Sequence, residues 1–363
     1  MRATASTLPA TAPRPSIFAN AALLVVTLVV TVAALEVVAR FVFPAPLPWK
    51  YPQLRYRPDP ALIFAWQPNQ RGFSADKEVA INERGFRGPV VPYERTPGRK
   101  RVLFLGDSIA FGYGVRDDEV VSQRVGTLLA AAGIPTETVN TAIASYNTEQ
   151  EVTFYESEGR RYDPDVVVVG VCWNDLNDKS NVRVDANGNL VDADVADAPT
   201  TEGATAEDYE LRNALKRSRL LYGTLERWRA YRASQTPDDH AMFRNDVLAG
   251  HATPRVETGW THMQDAFRRL RTLVEDHGGR LLIVAFPVPL MLEQSFPASS
   301  YPARLREFAA HEDIPFLDLT DVFQTAFHGH ESLFIPFDGD HPNAAGHDLA
   351  AQAIVRTMRP WVS

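Results

Sequence analysis

The sequence predicts an α/β protein with a parallel sheet covered by helices on both faces. From residue 101 onward, short apolar runs alternate with segments of helical spacing. One of these runs, residues 165–173 (DVVVVGVCW), is almost continuously apolar, as expected for a strand that is buried on both faces. Of the 363 residues, 45% are hydrophobic and 23% are charged, which is typical of a globular chain with a core.

The alternation predicts five strands and five helices. Gly106 ends the first strand, Gly133 ends the helix that follows it, and Asn147 is a candidate N-cap with Gln150 in the first turn. The predicted strands are residues 101–106, 136–140, 165–173, 280–288 and 315–319, and the predicted helices are residues 118–132, 147–159, 256–277, 304–311 and 344–358.

An apolar segment near the N-terminus, residues 17–35, contains no charged residue. As a helix it extends roughly 28 Å, which is enough to cross the hydrocarbon core of a bilayer. A retained membrane anchor is favoured over a cleaved signal peptide, because the run exceeds the usual apolar region of a signal peptide. A buried core helix is disfavoured because a helix that is apolar all round is hard to bury at a terminus.

Basic residues do not settle the orientation of this helix. Arg2 and Arg14 precede it, and four basic residues between positions 40 and 57 follow it. The positive-inside rule therefore does not favour a cytoplasmic N-terminus.

Four segments follow from composition and periodicity. They are an N-terminal tail (1–14), a transmembrane anchor (15–43), a proline-rich linker and lead-in (44–99), and a main domain (100–363) with an insertion at about 176–255.

The two halves of this insertion differ in composition. Its first half is rich in acidic and small residues, which predicts a mobile loop. Its second half, residues 211–232, is rich in arginine and predicts an amphipathic helix, either packed over the domain or touching a membrane surface.

Charge and cysteine content exclude several functions. The formal net charge is −8, so there is no overall positive field for nucleic acid. The single cysteine, Cys172, excludes a disulfide within the chain and a zinc site with several cysteines.

The first of four motifs is GDSIAFGYGV, at residues 106–115 directly after the first predicted strand. It puts Ser108 at the carboxyl end of a parallel strand, where open α/β sheets place their functional sites. A helix beginning there would supply backbone N–H groups and the positive end of its dipole. The alternative is a serine that only caps a helix.

The next two motifs follow the second and third strands. NTAIASYNTEQ (140–150) has small residues that allow close backbone approach, although alone it indicates an ordinary turn. WNDLND (173–178) aims the Asn174 amide at the site as a donor for a developing oxyanion. The alternative for the motif at residues 173–178 is an Asn-Asp turn.

The fourth motif, FDGDHPNAAGH (337–347), opens the last predicted helix. Asp338 lies three residues before His341, so its carboxylate can hold one imidazole nitrogen while the other faces the serine. A metal site formed by Asp338, Asp340, His341 and His347 is disfavoured, because the rest of the chain offers no clear ligand cluster.

Together the four motifs, in this order over roughly residues 100–359, resemble the SGNH hydrolases, also called the GDSL esterase and lipase family. The resemblance implies a flavodoxin-like three-layer α/β/α sandwich with a five-stranded parallel sheet. It also implies a serine ester hydrolase with no cofactor and no metal. By position, Ser108 is the nucleophile, His341 is the general base and acid, and Asp338 orients His341. The oxyanion hole consists of Asn174 with the backbone N–H groups of Ser108 and Ser145.

Two positions depart from the family pattern. A glycine of the oxyanion hole aligns with Ser145, which keeps the N–H but adds a side chain. The glycine two residues before the asparagine aligns with Cys172, which is expected to be a buried strand residue and not a nucleophile.

The N-terminal layout is similar to that of a bacterial subset of this family. Glu36 and Arg40 match its E-x-x-x-R-like stretch, and residues 85–88 match its GFRG lead-in. The resemblance implies a single-pass protein of the bacterial cytoplasmic membrane with a periplasmic or extracellular catalytic domain.

The sequence therefore predicts a membrane-anchored serine esterase that cleaves an oxygen ester. Its partners are an acyl ester substrate and, through residues 17–35, the membrane. Short acyl groups on cell-envelope carbohydrate are favoured, because no long apolar insertion is available to hold an acyl chain. The alternatives are an O-acyltransferase that uses the same triad and an inactive carbohydrate-binding module, against which the intact triad argues.

Overall fold

A computed structural model describes residues 17–178, 181–193, 206–294, 296 and 300–363. The β-strands among them are β1 (Tyr56–Asp59), β2 (Ile63–Trp66), β3 (Gln70–Ser74), β4 (Lys77–Ile81), β5 (Lys100–Gly106), β6 (Thr136–Asn140), β7 (Val166–Val171), β8 (Val182–Val184), β9 (Leu190–Asp192), β10 (Arg280–Ala285) and β11 (Phe316–Asp318). The α-helices are α1 (Ile17–Val42), α2 (Ser108–Phe111), α3 (Val121–Ala131), α4 (Thr148–Ser157), α5 (Ala206–Lys216), α6 (Arg219–Gln235), α7 (Asp239–Ala249), α8 (Pro254–Glu275), α9 (Pro289–Glu293), α10 (Tyr301–His311), α11 (Thr320–Ala326), α12 (His330–Leu333) and α13 (Ala344–Val362). Short 3₁₀ helices lie at Asp117–Glu119, Gly159–Tyr162 and Trp173–Leu176.

The central sheet has five parallel strands in the order β11-β10-β7-β5-β6. Every residue of β7 is buried, which explains its nearly continuous apolar run. Helix α3 packs against α13, and α4 packs against α8, so pairs of helices cover the sheet. The predicted fold class is confirmed, and all five predicted strands lie in this sheet.

The start of α4 is set by a capping box. The side chain of Asn147 accepts a hydrogen bond from the N–H of Gln150 at 3.1 Å, and the Gln150 side chain accepts from the N–H of Asn147 at 3.2 Å. Two otherwise unpaired donors at the helix terminus are satisfied in this way. The prediction that Asn147 caps this helix is confirmed.

The lead-in between α1 and the central sheet contains more regular structure than the sequence predicts. Strands β1 and β2 form one antiparallel hairpin, and β3 and β4 form a second. Phe64 and Val79 are fully buried, and the Tyr146 hydroxyl donates to the carbonyl of Phe64 at 2.7 Å. These hairpins therefore share the hydrophobic core of the sheet domain.

Helix α1 is exposed along its length, and Ala39 is the only residue of it that is buried. Its length and apolar composition are sufficient to cross a membrane, and a signal sequence has the same two properties.

The predicted helix over residues 211–232 is in fact two helices, α5 and α6. The helix is interrupted between them because the Ser218 hydroxyl accepts a hydrogen bond from the N–H of Leu221 and so caps the start of α6. Residues 182–192 form the β8–β9 hairpin instead of an irregular loop. The remainder of the predicted acidic loop, residues 194–205, lies outside the described residues.

Helix α6 packs against the end of α1. The Glu36 carboxylate accepts hydrogen bonds from the Ser218 hydroxyl at 2.7 Å and from the backbone N–H groups of Arg219 and Leu220 at 3.0 and 3.2 Å. A Cβ added at Gly223 would lie 2.4 Å from the ring of Phe43, so the two segments approach too closely for a larger residue. Glu36 thus joins the apolar helix to the insertion.

Candidate active site

The site is built at the carboxyl edge of the sheet, beginning where β5 ends. Gly106 has φ +145°, and a Cβ there would lie 2.5 Å from the Cβ of Ala110. Only glycine fits this position, and the tight turn presents Ser108 at the first residue of α2.

Asp107 connects two of the loops at this edge. Its Oδ1 accepts a hydrogen bond from the N–H of Ile109 at 2.8 Å and thereby caps α2. Its Oδ2 accepts from the Asn174 side-chain amide at 2.8 Å. The buried carboxylate of Asp107 therefore holds Asn174 beside Ser108.

Ser108, His341 and Asp338 form a continuous row of hydrogen bonds. His341 Nε2 lies 2.9 Å from Ser108 Oγ, and His341 Nδ1 lies 2.8 Å from Asp338 Oδ1. Because a carboxylate can only accept, Nδ1 carries the imidazole proton and Nε2 accepts from the serine hydroxyl. Asp338 Oδ1 also accepts from the N–H groups of Asp340 and His341, which hold the carboxylate in place.

Asp338 and His341, the two titratable residues of the row that lie next to each other, shift each other's pKa. Desolvation alone would lower the pKa of His341, but the charge of Asp338 and the hydrogen bond to it raise that pKa above its ordinary value. Desolvation alone would raise the pKa of Asp338, and the charge of His341 and its hydrogen bond lower it instead. The pair therefore favours a charged carboxylate and a more basic imidazole.

Three donors lie near Ser108. Ser145 has φ +74°, in the left-handed region that favours glycine, as expected where family members carry one. Within the described residues, the backbone N–H groups of Ser108 and Ser145 donate no hydrogen bond. The side-chain amide of Asn174 has two hydrogens, and its hydrogen bond to Asp107 uses one of them.

A cavity of about 310 Å³ opens over the serine. Ser108, Ser145 and His341 contribute to its wall. The rest is largely aromatic and comes mostly from the lead-in: Tyr56, Trp66, Phe73, Phe111 and Tyr113. The rings of Tyr56 and Trp66 are stacked, with centroids 4.0 Å apart. The sequence analysis missed this contribution, because the lead-in carries no motif of its own.

The sequence profile of the GDSL-like lipase/acylhydrolase family matches residues 104–349, which include all four motifs. The chain belongs to this family. It is therefore a GDSL acylhydrolase or esterase, and the resemblance noted from its sequence is confirmed. No curated protein sequence matches the chain.

Three solved structures illustrate what this acylhydrolase is similar to. TesA has 13% identity and a TM-score of 0.42, over 72% of this chain and 99% of its own. The Clostridium thermocellum family 3 carbohydrate esterase has 12% identity and a TM-score of 0.42, over 73% and 97%. A mutant of Axe2, an acetylxylan esterase from Geobacillus stearothermophilus, has 15% identity and a TM-score of 0.42, over 71% and 94%.

Beneath the site of this acylhydrolase lies a buried pair of acids that the sequence analysis also missed. Asp175 accepts the N–H of Cys172 at 2.6 Å and holds the turn that carries Asn174. Burial, together with the nearby charges of Asp175 and Asp107 and a hydrogen bond to Asp175, raises the pKa of Glu151 well above its usual range. The raised pKa favours the protonated form of Glu151, which can donate to Asp175. The sequence could have indicated that Glu151 is buried, because Glu151 lies four residues after Asn147 and so on the same, buried face of α4.

The two remaining residues of the metal alternative have structural contacts of their own. His347 Nδ1 accepts the N–H of Val121 at 3.3 Å, and burial lowers the pKa of His347 to about 3. Asp340 accepts from the indole N–H of Trp173 at 2.9 Å. Across the described part of the chain, no group of three His, Cys, Asp or Glu side chains has the arrangement to hold a metal ion.

Proposed function

We propose that this acylhydrolase is a membrane-anchored serine esterase that cleaves an oxygen ester through Ser108, His341 and Asp338. The observation that carries the proposal is the row of hydrogen bonds from the serine hydroxyl to the carboxylate, 2.9 and 2.8 Å long, beside an open cavity. A nucleophile, a base and a group that orients the base are the parts that acyl transfer requires.

In the acylation half-reaction, Ser108 Oγ attacks the ester carbonyl carbon as its proton passes to His341 Nε2. The resulting imidazolium is stabilised by Asp338. The tetrahedral oxyanion accepts hydrogen bonds from the N–H groups of Ser108 and Ser145 and from the Asn174 amide. The carbon–oxygen bond to the alcohol then breaks, and the leaving oxygen takes the proton from His341.

In the deacylation half-reaction, water attacks the carbonyl carbon of the acyl-enzyme. His341 Nε2 takes a proton from this water, and the same donors stabilise the second oxyanion. The bond to Ser108 Oγ breaks, the serine regains its proton from His341, and the free acid leaves.

Cavity size supports a short acyl group. About 310 Å³ is near the lower end of the range for small-molecule sites. The aromatic side chains of Tyr56, Trp66 and Phe73 add flat apolar faces to it. Esters of short acids, including those on cell-envelope carbohydrate, fit this space better than long lipids.

A series of p-nitrophenyl esters of increasing chain length tests the proposal. We expect hydrolysis to be fastest for the shortest acyl groups, and Ser108→Ala to lower kcat by at least about 10³-fold. Cys172→Ala is the matched control, because Cys172 carries the chain's only thiol and is buried away from solvent. A folded Ser108→Ala protein that keeps most of its activity would contradict the nucleophile assignment.

Acetylated polysaccharide, with and without an added sugar acceptor, tests hydrolysis against acyl transfer. An esterase releases free acetate in the absence of the acceptor. Acetate that appears on the acceptor, with no free acid in its absence, would instead assign the same triad to an O-acyltransferase.

Residues 17–35 are proposed as the membrane anchor, with Ser108 on the outer side of the cytoplasmic membrane. Length, lack of charge and exposure of α1 support this. With this anchor, we propose that the chain is divided into a tail (1–14), an anchor (15–43), a lead-in (44–99) and a hydrolase domain (100–363) with an insertion at about 176–255.

Two measurements test retention and direction separately. After carbonate extraction, we expect the protein in the membrane fraction with its N-terminus intact, whereas a soluble protein that starts near Leu35 would mean cleavage. Protease added to spheroplasts should digest the hydrolase domain. A domain that resists until the cells are lysed, although it is cut readily when free, would place it in the cytoplasm.

A further inference from the structure

A second cavity, of about 500 Å³, has Asp338 of the catalytic row in its wall. Its wall combines the segment after α1, helices α5 and α6, and the loop that carries Asp338. Tyr113 lines both cavities, and its ring centroid lies 4.5 Å from that of His341. Tyr113 is therefore shared by the walls of the two cavities.

Three cationic side chains line this second cavity: Arg212, Lys216 and Arg229. Asp338 is the one acidic residue among its described lining residues, and it pairs with His341. Arg212 is exposed and has no ion-pair partner among the described residues. Arg229 pairs with Glu226 at 2.7 Å across an exposed surface, which leaves its other guanidinium hydrogens available. The balance of charge in the cavity is positive.

Lys216 has a different role from the two arginines. Its ammonium donates to the carbonyl of Leu47 at 2.6 Å and lies 5.3 Å from the ring centroid of Trp49. It therefore ties α5 to the segment that follows α1, and it adds positive charge to the wall.

Aromatic rings and aliphatic side chains form the rest of the wall. Trp49, Tyr222 and Phe337 line it, and the rings of Tyr222 and Phe337 meet edge to face at 5.3 Å. Phe337 directly precedes Asp338, so this contact joins the insertion to the catalytic loop. Flat apolar rings with cations beside them suit a ring-shaped group that carries a negative charge.

We propose that this cavity binds the alcohol portion of the ester substrate and that Arg212 and Arg229 recognise a carboxylate or phosphate on it. The proposal rests on the proposed function, since it needs an ester bound at Ser108. The acyl group would then occupy the 310 Å³ cavity, and the charged alcohol would lie past Tyr113. Because Tyr113 lines both cavities and Asp338, in the second wall, is linked to Ser108 through His341, one ester can reach into both spaces.

Two matched acetyl esters test this charge recognition. 4-Acetoxybenzoate and 4-acetoxybenzamide both release acetate from a para-substituted phenol, but only the first is an anion. The readout is the ratio of their kcat/KM values, measured with the full chain in vesicles of neutral phosphatidylcholine. We expect this ratio to exceed one in the wild type and to fall as NaCl is raised, because salt screens exposed charges.

The double variant Arg212→Gln/Arg229→Gln is expected to lower the ratio by about threefold to tenfold. Arg212→Lys/Arg229→Lys should retain most of the preference. Arg217→Gln is the matched control, because Arg217 is exposed between α5 and α6 and does not line the cavity. It should leave the ratio unchanged.

A ratio that is the same in the wild type and the double glutamine variant overturns the proposal. If that variant does not fold, the wild-type salt titration decides, since a ratio independent of NaCl also overturns it. A KM for 4-acetoxybenzoate that rises only when phosphatidylglycerol is added to the vesicles would assign the cations to lipid headgroups and overturn the substrate assignment. Failure to hydrolyse either ester would count against the esterase function itself.

Discussion

Ser108 and Asn174 each follow directly after a strand of the central sheet, and His341 lies just before its last long helix. Trp66 and Tyr222, which line the two cavities, lie in the lead-in and the insertion, far from these motifs in the chain. Each proposed reacting group thus lies in a local sequence motif, whereas the walls proposed to select a substrate are assembled only by folding. Variants of the motif residues should therefore mainly change the reaction rate, and variants of the lead-in and insertion should mainly change stability or substrate preference.

Arg87 is the clearest contact between the two regions. It belongs to the GFRG stretch of the lead-in and is only 3% exposed. Its guanidinium donates to the carbonyls of Phe111, Gly112 and Val115 and pairs with Asp117. The lead-in thereby holds the loop that follows the Ser108 helix, which gives this stretch a structural role.

The largest effect is expected within the catalytic row. His341→Gln should lower kcat by at least about 10³-fold, because it removes the base while leaving Asp338 and Ser108 in place. His347→Gln should cost far less per folded molecule, since His347 contacts the N–H of Val121 and not the serine. Steady-state rates at equal folded concentration make the comparison. Equal losses, or a larger loss at His347, would contradict the assignment.

The pH dependence of the rate tests the same pair. Because Asp338 raises the pKa of His341, kcat/KM should rise with pH through a value above the ordinary 6.5 of histidine. The stability that protonated His341 contributes has the opposite dependence: it is fully present below pH 6.5 and is lost as pH rises through the raised pKa. In Asp338→Asn, the inflection in kcat/KM should move to lower pH. An inflection that stays in place would contradict the pairing.

The next largest effect, on stability, is expected at Arg87, where the two regions meet. Arg87→Leu removes a buried cation and leaves three carbonyls without their donor, so it should lower the free energy of unfolding by about 3 kcal/mol. Arg71→Leu is the matched control, since Arg71 is an exposed lead-in residue whose one ion pair is solvent-accessible. Urea unfolding measures both, and equal small effects would show that Arg87 does not hold the loop.

A smaller effect is expected at Glu151. Glutamine keeps a donor for Asp175, so Glu151→Gln should retain activity and stability, whereas Glu151→Ala removes the donor and should cost about 1–3 kcal/mol. Because the folded state keeps a proton that unfolded Glu151 releases above about pH 4.3, this contribution to stability falls as pH rises toward the raised pKa. Unfolding at pH 5 and pH 8 should show that the wild type loses more stability over this range than Glu151→Gln, which retains only the pH dependence of other groups such as His341.

Strands β5, β7 and β10 were predictable because each is a compact apolar run, and β7 is the clearest, whereas β6 has the mostly polar sequence TETVN. One lead-in strand, β4, lies in residues 76–87, a stretch whose sequence predicts a short strand and turn. Strands β1–β3 were not predictable, because they are four or five residues long in a proline-rich segment, and the β1–β2 turn has Ile63 at φ +68°, which no turn residue signals. The serine, histidine and aspartate lie in local motifs, so their positions were predictable. The Glu151–Asp175 pair and both cavity walls depend on tertiary contacts between distant segments.

Covalent labelling with a fluorophosphonate tests the central proposal most directly, because the reagent reacts only with an activated serine. The wild-type protein should gain one label per chain, and peptide mass spectrometry should locate it on Ser108. Labelling should be absent in Ser108→Ala and strongly slowed in His341→Gln. A label on any other residue, or unchanged labelling of Ser108→Ala, would contradict a Ser108–His341–Asp338 esterase.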